Sequence, residues 1–410
     1  MRISTSQIFN QGIQQFQNIT SQQARTQEQV ASGKQVLKPS DDPVASTRII
    51  QLKDDLAQSD KFLETITQTR TRLEREDSTL SSFTDALART RELMVNAGNG
   101  ALTQSDRETL AVELRQVKDQ MVNLANTRGP AGEHLFAGFQ GSEKPFAEDV
   151  SGNIEYRGDE GQRSVRIDDN VTLDVNDNGR ETFVAIPSDR PTFQTRAGAE
   201  NQADPPARIS TGVVSDREAF EAFQPDDLVV EFGENTATGN TTFSIRSRDT
   251  GRELVMDQDF VSGEPIEIEG MRFDVSGEPE PGDSFFIETG NQQSVFGTME
   301  KMIEGLETHP NTPAGREALA DTIDQGLANL DNAEKQITQV QAGVGTRLNT
   351  LESTEDFLND SELLSKETLS DLEDLDFAEA ISRLSQQSFT LQAAQQSFAQ
   401  ISRLSLFDSI

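Results

Sequence analysis

The sequence predicts an α+β protein: long, paired N- and C-terminal helices of coiled-coil character with a central β-rich domain inserted between them. Three observations carry that expectation. Apolar residues recur every seven positions in both outer thirds, the period falls to two between about residues 141 and 290, and each chain end carries an amphipathic segment free of charge. The expected organisation is an assembly helix and connector over 1–40, a helical arm over 41–140, and the β-rich domain over 141–290. A second arm follows over 291–370, and a C-terminal assembly helix over 371–410.

In the first arm, Asp42-Pro43 reads as an N-cap followed by a first helical residue, where the missing proline N–H costs nothing. Leu52, Leu56, Leu63 and Ile66 then share a face, and Ile66, Leu73, Leu80, Leu87 and Met94 recur at spacing seven. Gly98-Asn99-Gly100 ends this helix, and Ser105-x-x-Glu108 reads as a capping box opening the next. There Leu110, Leu114, Val117, Met121 and Leu124 alternate steps of four and three, up to Gly129-Pro130.

The second arm mirrors the first. After Pro313, the residues Ile323, Leu330, Ile337, Val344, Leu351 and Leu358 form one heptad series, with Leu327, Val340 and Leu348 on the neighbouring stripe. A helix of about 50 residues would run roughly 75 Å. Burying six such side chains is worth on the order of 10–18 kcal/mol before entropy, none of it gained by a lone helix in water. The stripe therefore requires a partner. The helix opening at Pro43 has the matching length and period, and the two can pair parallel or antiparallel.

In the middle, Val165-x-Ile167, Thr172–Val175, Leu228–Phe232, Phe243–Ile245, Ile266–Ile268 and Phe285–Ile287 read as short strands punctuated by Gly, Asn, Asp and Pro. The stretch Pro187–Ser210, with four prolines and no clear period, reads as a loop between two β-rich parts.

The chain ends are the most informative part. Between Arg2 and Arg25, and again between Arg383 and Arg403, there is no charged residue, in a chain of which 26% is charged. The first gap carries Ile3, Ile8, Phe9, Ile13, Phe16 and Ile19 among seven glutamines. The second carries Leu384, Leu391 and Phe398 at spacing seven, continuing back to Phe377, with Ala394 and Ile401 beside them. A solvated helix normally uses Lys and Glu on its polar face. A neutral face suits packing against further copies, where like charges repel and buried charges are costly. The candidate subunit-interface residues are accordingly Ile8, Phe9, Ile13, Phe16, Ile19, Leu384, Leu391, Phe398, Ile401, Leu404, Leu406 and Phe407. The competing reading is a helical hairpin that only caps its own core.

Composition narrows the function classes. With 70 acidic and 36 basic residues the net charge is −34, which repels phosphate backbones and anionic lipid. Nucleic-acid binding and membrane insertion are not expected. Cysteine is absent, so disulfides, thiolate metal sites and cysteine nucleophiles are excluded together. No signal-peptide pattern and no run of about 18 apolar residues is visible, which leaves a cytoplasmic chain or one exported without a cleavable signal.

No catalytic, cofactor or metal residues are expected. Asp174-x-Asn176-x-Asn178-Gly179 matches the first half of a calcium loop, but Ala185 stands where the bidentate glutamate belongs. Its flanks read as strands, so a hairpin turn accounts for it. His134 and His309 lack metal-pair spacing and read as loop residues. Gly343-x-Gly345 lies inside the heptads and reads as close helix packing rather than phosphate binding. Acidic pairs such as Asp226-Asp227 and Asp41-Asp42 read as solvated surface or caps.

Several segments resemble the flagellin superfamily, and within it the hook–filament junction branch. They are Ala31-Ser32-Gly33-Lys34 through Val36-Leu37-Lys38-Pro39-Ser40-Asp41-Asp42-Pro43, Leu135-Phe136-Ala137-Gly138-Phe139 with Pro145-Phe146, and Pro281-Gly282-Asp283-Ser284-Phe285. Gly345-Thr346-Arg347-Leu348-Asn349, Asp376-Phe377-Ala378-Glu379-Ala380 and Ser402-Arg403-Leu404-Ser405-Leu406-Phe407-Asp408 complete the set. The resemblance implies a non-enzymatic structural subunit, exported unfolded through the flagellar type III channel and placed outside the cell at the junction of hook and filament. Its implied partners are hook-associated protein 1, flagellin, copies of itself in a ring, and a flagellar export chaperone. Filament flagellin itself and a non-flagellar coiled-coil surface adhesin are the alternatives.

Overall fold

Two long helices organise the chain. The computed structural model describes residues 5–150, 152–198, 200–235 and 239–407. The helical part opens with α1 (Thr5–Ser32), α2 (Pro43–Ala97) and α3 (Gln104–Ala125). It resumes after the strands with α5 (Val295–Thr308), α6 (Pro313–Glu373) and α7 (Phe377–Phe407). Between them lie β1 (Phe146–Glu148), β2 (Ile154–Tyr156), β3 (Ser164–Asp168), β4 (Val171–Asp174), β5 (Pro187–Ala197), β6 (Arg208–Ile209) and β7 (Val213–Val214). After the short α4 (Arg217–Phe223) come β8 (Leu228–Glu234), β9 (Thr241–Ser247), β10 (Glu253–Asp259), β11 (Pro265–Ile268), β12 (Met271–Ser276) and β13 (Ser284–Gln292). The chain divides into two compact units, residues 1–64 with 353–410 and residues 65–352, and the division falls inside α2 and α6.

In the larger unit, the heptad residues Ile66, Leu73, Leu80, Leu87 and Met94 of α2 are all buried, as are Ile323, Leu330, Ile337, Val344 and Leu351 of α6. Leu327, Val340 and Leu348 are half-buried beside them. Pairing is antiparallel: Arg91 near the end of α2 bonds Asp331 and Glu334 early in α6. The Asp177 loop, whose amide bonds Glu76 of α2, bonds Arg347 further along α6. The capping box of α3 is Thr103 with Asp106, not Ser105 with Glu108. Thr103 has the extended backbone a cap requires, whereas Ser105 already lies inside the helix.

Two further expectations are corrected, and one helix is added. Pro187–Ser210 is not a loop, because β5 spans eleven residues and pairs antiparallel with β13. The five-stranded sheet runs β10-β9-β8-β13-β5, so β5 is an edge, where proline removes no ladder donor that the sheet needs. The Asp174–Gly179 segment is not a hairpin turn between strands, since a π-helical turn, Arg180–Val184, follows it. The helix α5 lay unread within the second arm. It buries Val295, Phe296, Met299, Met302, Ile303 and Leu306.

The β domain packs a second sheet, β11-β12-β6 with β7 on β12, around Phe193, Phe220, Phe232, Phe243, Phe273 and Phe285. A separate aromatic cluster ties helices to loops. Phe183 lies 4.5 Å from Phe83 and 5.0 Å from Phe136, and Phe146 lies 5.3 Å from Phe296. In a chain without tryptophan, phenylalanines thus supply both cores.

Candidate functional site

The smaller unit brings the two chain ends together. The chain leaves α1 through Gly33, which takes φ +71°, a left-handed conformation that glycine adopts without a Cβ penalty. The Gln35 amide then donates to the Glu373 carbonyl at 2.8 Å, and the Leu375 amide donates to the Gly33 carbonyl at 2.9 Å. This two-bond clasp sets α1 and α7 side by side and antiparallel, so the start of α1 and the end of α7 lie at the same end of the hairpin. Gln29, buried at the turn, donates its side-chain amide to the Gln35 carbonyl at 2.6 Å.

Charges fix the clasp from outside. Glu373 faces Lys34 at 2.5 Å and Lys53 at 2.8 Å. Burial would raise its carboxyl, but the hydrogen bonds from Lys34 and then Lys53 hold it below the usual carboxylate range. The Ser40-Asp41-Asp42 run has a local explanation. Asp41 accepts from the Leu37 and Lys38 amides and pairs with Arg25 at 2.9 Å. Asp42 caps α2 by accepting from Val44 and Ala45, and Asp376 caps α7 the same way through Ala378 and Glu379.

The Leu135–Phe139 segment of the larger unit is equally determined. Leu135, Phe136 and Ala137 are fully buried. Gly138 takes φ +68°, and a Cβ there would collide with the Asp159 carbonyl. The Asp159 carboxylate binds the Phe139 and Gln140 amides at 2.9 Å each.

Of the expected interface residues, Ile13, Phe16, Ile19, Leu384 and Leu391 are half-buried on α1 and α7. Gln23 and Ser388 join the helices at 3.1 Å through neutral groups, and the charged residues Arg25 and Glu379 lie nearer the clasp. The side chains of Ile8, Phe9, Phe398, Ile401, Leu404, Leu406 and Phe407 lie outside the described residues.

Sequence reasoning missed a second stripe. Phe377, Ile381 and Phe389 stand exposed on α7, Phe389 at 74%, and Phe357, Leu363 and Leu364 stand exposed on α6. Phe377, Ile381, Ser385 and Phe389 step by four, a signal overlooked because Phe377 also fits the heptad of Leu384 and Leu391. A group of large apolar side chains left in water marks a contact surface.

The candidate calcium residues are engaged by protein donors. Asn176 Oδ1 accepts from the Arg163 amide, Asn178 Oδ1 accepts from the Glu181 amide, and the Asp174 carbonyl accepts from Arg347. His134 is buried, its Nδ1 2.7 Å from the Asn126 carbonyl, and His309 ends α5.

These features define a flagellin-like structural subunit: two helical ends clasped together, apolar stripes left uncovered, and a β domain between the arms. Residues 3–141 match the bacterial flagellin N-terminal helical region, and residues 327–408 match the bacterial flagellin C-terminal helical region. The flagellar hook-associated protein 3 of Escherichia coli K12 is 24% identical over 408 residues, 99% of each chain. The crystal structure of flagellar hook-associated protein-3 from Legionella pneumophila is 32% identical with a TM-score of 0.53, covering 79% of this chain and 98% of that one. The FlgL structure from Xanthomonas campestris is 27% identical with a TM-score of 0.51, covering 78% and 99%. The chain belongs to the flagellar hook-associated protein 3 family. It is a structural component of the bacterial flagellum, and the filament-flagellin and adhesin alternatives are not favoured.

Proposed function

We propose that the chain is the adapter at the hook–filament junction, a ring of copies that links hook-associated protein 1 to the flagellin filament. The observation that carries this reading is the end-to-end match to hook-associated protein 3, with flagellin-type helical regions at both termini. An adapter of this kind presents flagellin-like ends to flagellin on one side and to a hook-side protein on the other.

On this reading the work is assembly rather than catalysis. The α1–α7 hairpin, through Ile13, Phe16, Ile19, Leu384 and Leu391, gives each subunit a rod that is free of charge over residues 5–24 and 384–402. The exposed Phe377, Ile381 and Phe389 meet neighbouring subunits, and the charge-free stretches of the rod avoid the repulsion that a −34 chain would otherwise bring to the contact. The interface extends to Ile8, Phe9, Phe398, Ile401, Leu404, Leu406 and Phe407. The subunit reaches its place outside the cell through the flagellar export channel, escorted by a chaperone that covers these ends.

A deletion strain tests the adapter role. Hooks should remain while filaments are lost and flagellin accumulates in the medium, with recovery on complementation. Filaments of normal number and length on the deletion strain would sink the proposal.

A further inference from the structure

Deep in the larger unit, Glu76 of α2 is fully buried, and its Oε2 has no hydrogen-bond partner among the described residues. Its Oε1 accepts a long bond, 3.3 Å, from the Asp177 amide in the loop after β4. Two guanidinium groups stand nearby, and the bonds that hold each of them go to other partners. Arg347 of α6 donates to the Gly343 and Asp174 carbonyls and to the Asp177 carboxylate. Arg72 donates to the Val175 and Leu135 carbonyls and pairs with Glu133, which in turn holds Arg163. An ionised Glu76 would therefore be a buried charge with one oxygen unbonded, beside a second carboxylate. Protonating Glu76 removes that buried charge and turns the orphan acceptor into a donor.

We propose that the Glu76 carboxyl group keeps its proton in the folded subunit, and that this proton locks the joint between α2, the 174–179 loop and α6. The groups facing Glu76 are Arg72 on its own helix, Asp177 on the loop and Arg347 on α6, with Glu133 and Arg163 behind Arg72. Burial first, then the Asp177 charge, push the Glu76 carboxyl well above the ordinary carboxylate range, against the pull of Arg347 and Arg72.

The sign follows from proton counting. Above the ordinary carboxylate range the unfolded chain has released this proton and the folded chain has not. The lock therefore holds fully at acid pH and weakens as pH rises through the raised value, by up to about tenfold in the folding equilibrium per pH unit. The fold thereby carries a proton-gated clasp where both helical arms meet the β-rich insertion.

The test is infrared spectroscopy and thermal melting of the purified full chain across a pH series. A protonated carboxylic acid band should be present at neutral pH and vanish in Glu76→Gln, which should also flatten the loss of stability on the alkaline side. Should that variant fail to fold, Asp177→Asn keeps Glu76, and the band should disappear at lower pH than in the unaltered chain. A neutral-pH spectrum with no Glu76-dependent acid band would overturn the proposal, as would parallel melting profiles for the unaltered chain and Glu76→Gln, or an unmoved band in Asp177→Asn.

Discussion

The Gln23 side-chain amide donates to the Ser388 hydroxyl at 3.1 Å, so residues 365 positions apart meet through neutral groups. A lysine–glutamate pair would serve a solvated hairpin equally well. Neutral partners give the rod the same register without carrying charge into a crowded contact, where desolvating an ion costs several kcal/mol.

Leu391 lies half-buried on α7 next to this contact. Leu391→Asp should prevent incorporation into the flagellum while the larger unit still melts cooperatively at an unchanged temperature. Circular dichroism of the purified variant and its recovery from sheared flagella check both halves.

Phe389, 74% exposed, tests the outer stripe separately. Phe389→Asp should change stability by no more than about 0.5 kcal/mol, as surface substitutions usually do, yet reduce incorporation strongly. Incorporation at the normal level would assign the stripe no role in subunit contact.

Leu80 is fully buried in the α2 heptads. Leu80→Ala should cost about 2–5 kcal/mol in denaturant unfolding, through lost burial and the cavity left behind. Thr103→Ala removes the capping box of α3 and should cost about 1 kcal/mol, whereas Ser105→Ala should cost little.

The Glu373 carboxylate gives the clasp an acid limit. Because Lys34 and Lys53 hold it below the usual range against burial, its contribution is present above the ordinary carboxylate value and is lost as pH falls through the lowered one. Amide protection at Gln35 and Leu375 should fall in acid and lose that pH dependence in Glu373→Gln. The size is modest, since both lysines are about half exposed.

Periodicity made the arms legible. Every heptad position from Ile66 to Met94 and from Ile323 to Leu358 is buried, because a stripe at spacing seven can be satisfied only by a partner helix. The edge strand β5 was hidden because Pro187 and Pro191 look like loop residues until the sheet order shows an edge. The helix α5 did carry a signal, in the spacing of Val295, Met299, Met302 and Leu306, diluted by Gly297 and Gly305. In the smaller unit, the half-buried Ile13, Phe16, Ile19, Leu384 and Leu391 could be read from their spacing. The exposed Phe377 could not, since a heptad does not state which face its partner covers. The acid pair of Glu76 and Asp177 was invisible too. Residues 101 positions apart meet only once β4 and its loop are laid against α2.

An adapter occupies one place in the organelle, whereas a filament unit repeats along its whole length. Immunogold labelling of the β domain on intact flagella separates the two. A single narrow band where the hook meets the filament is expected of the proposed adapter; label distributed along the filament would rule that role out.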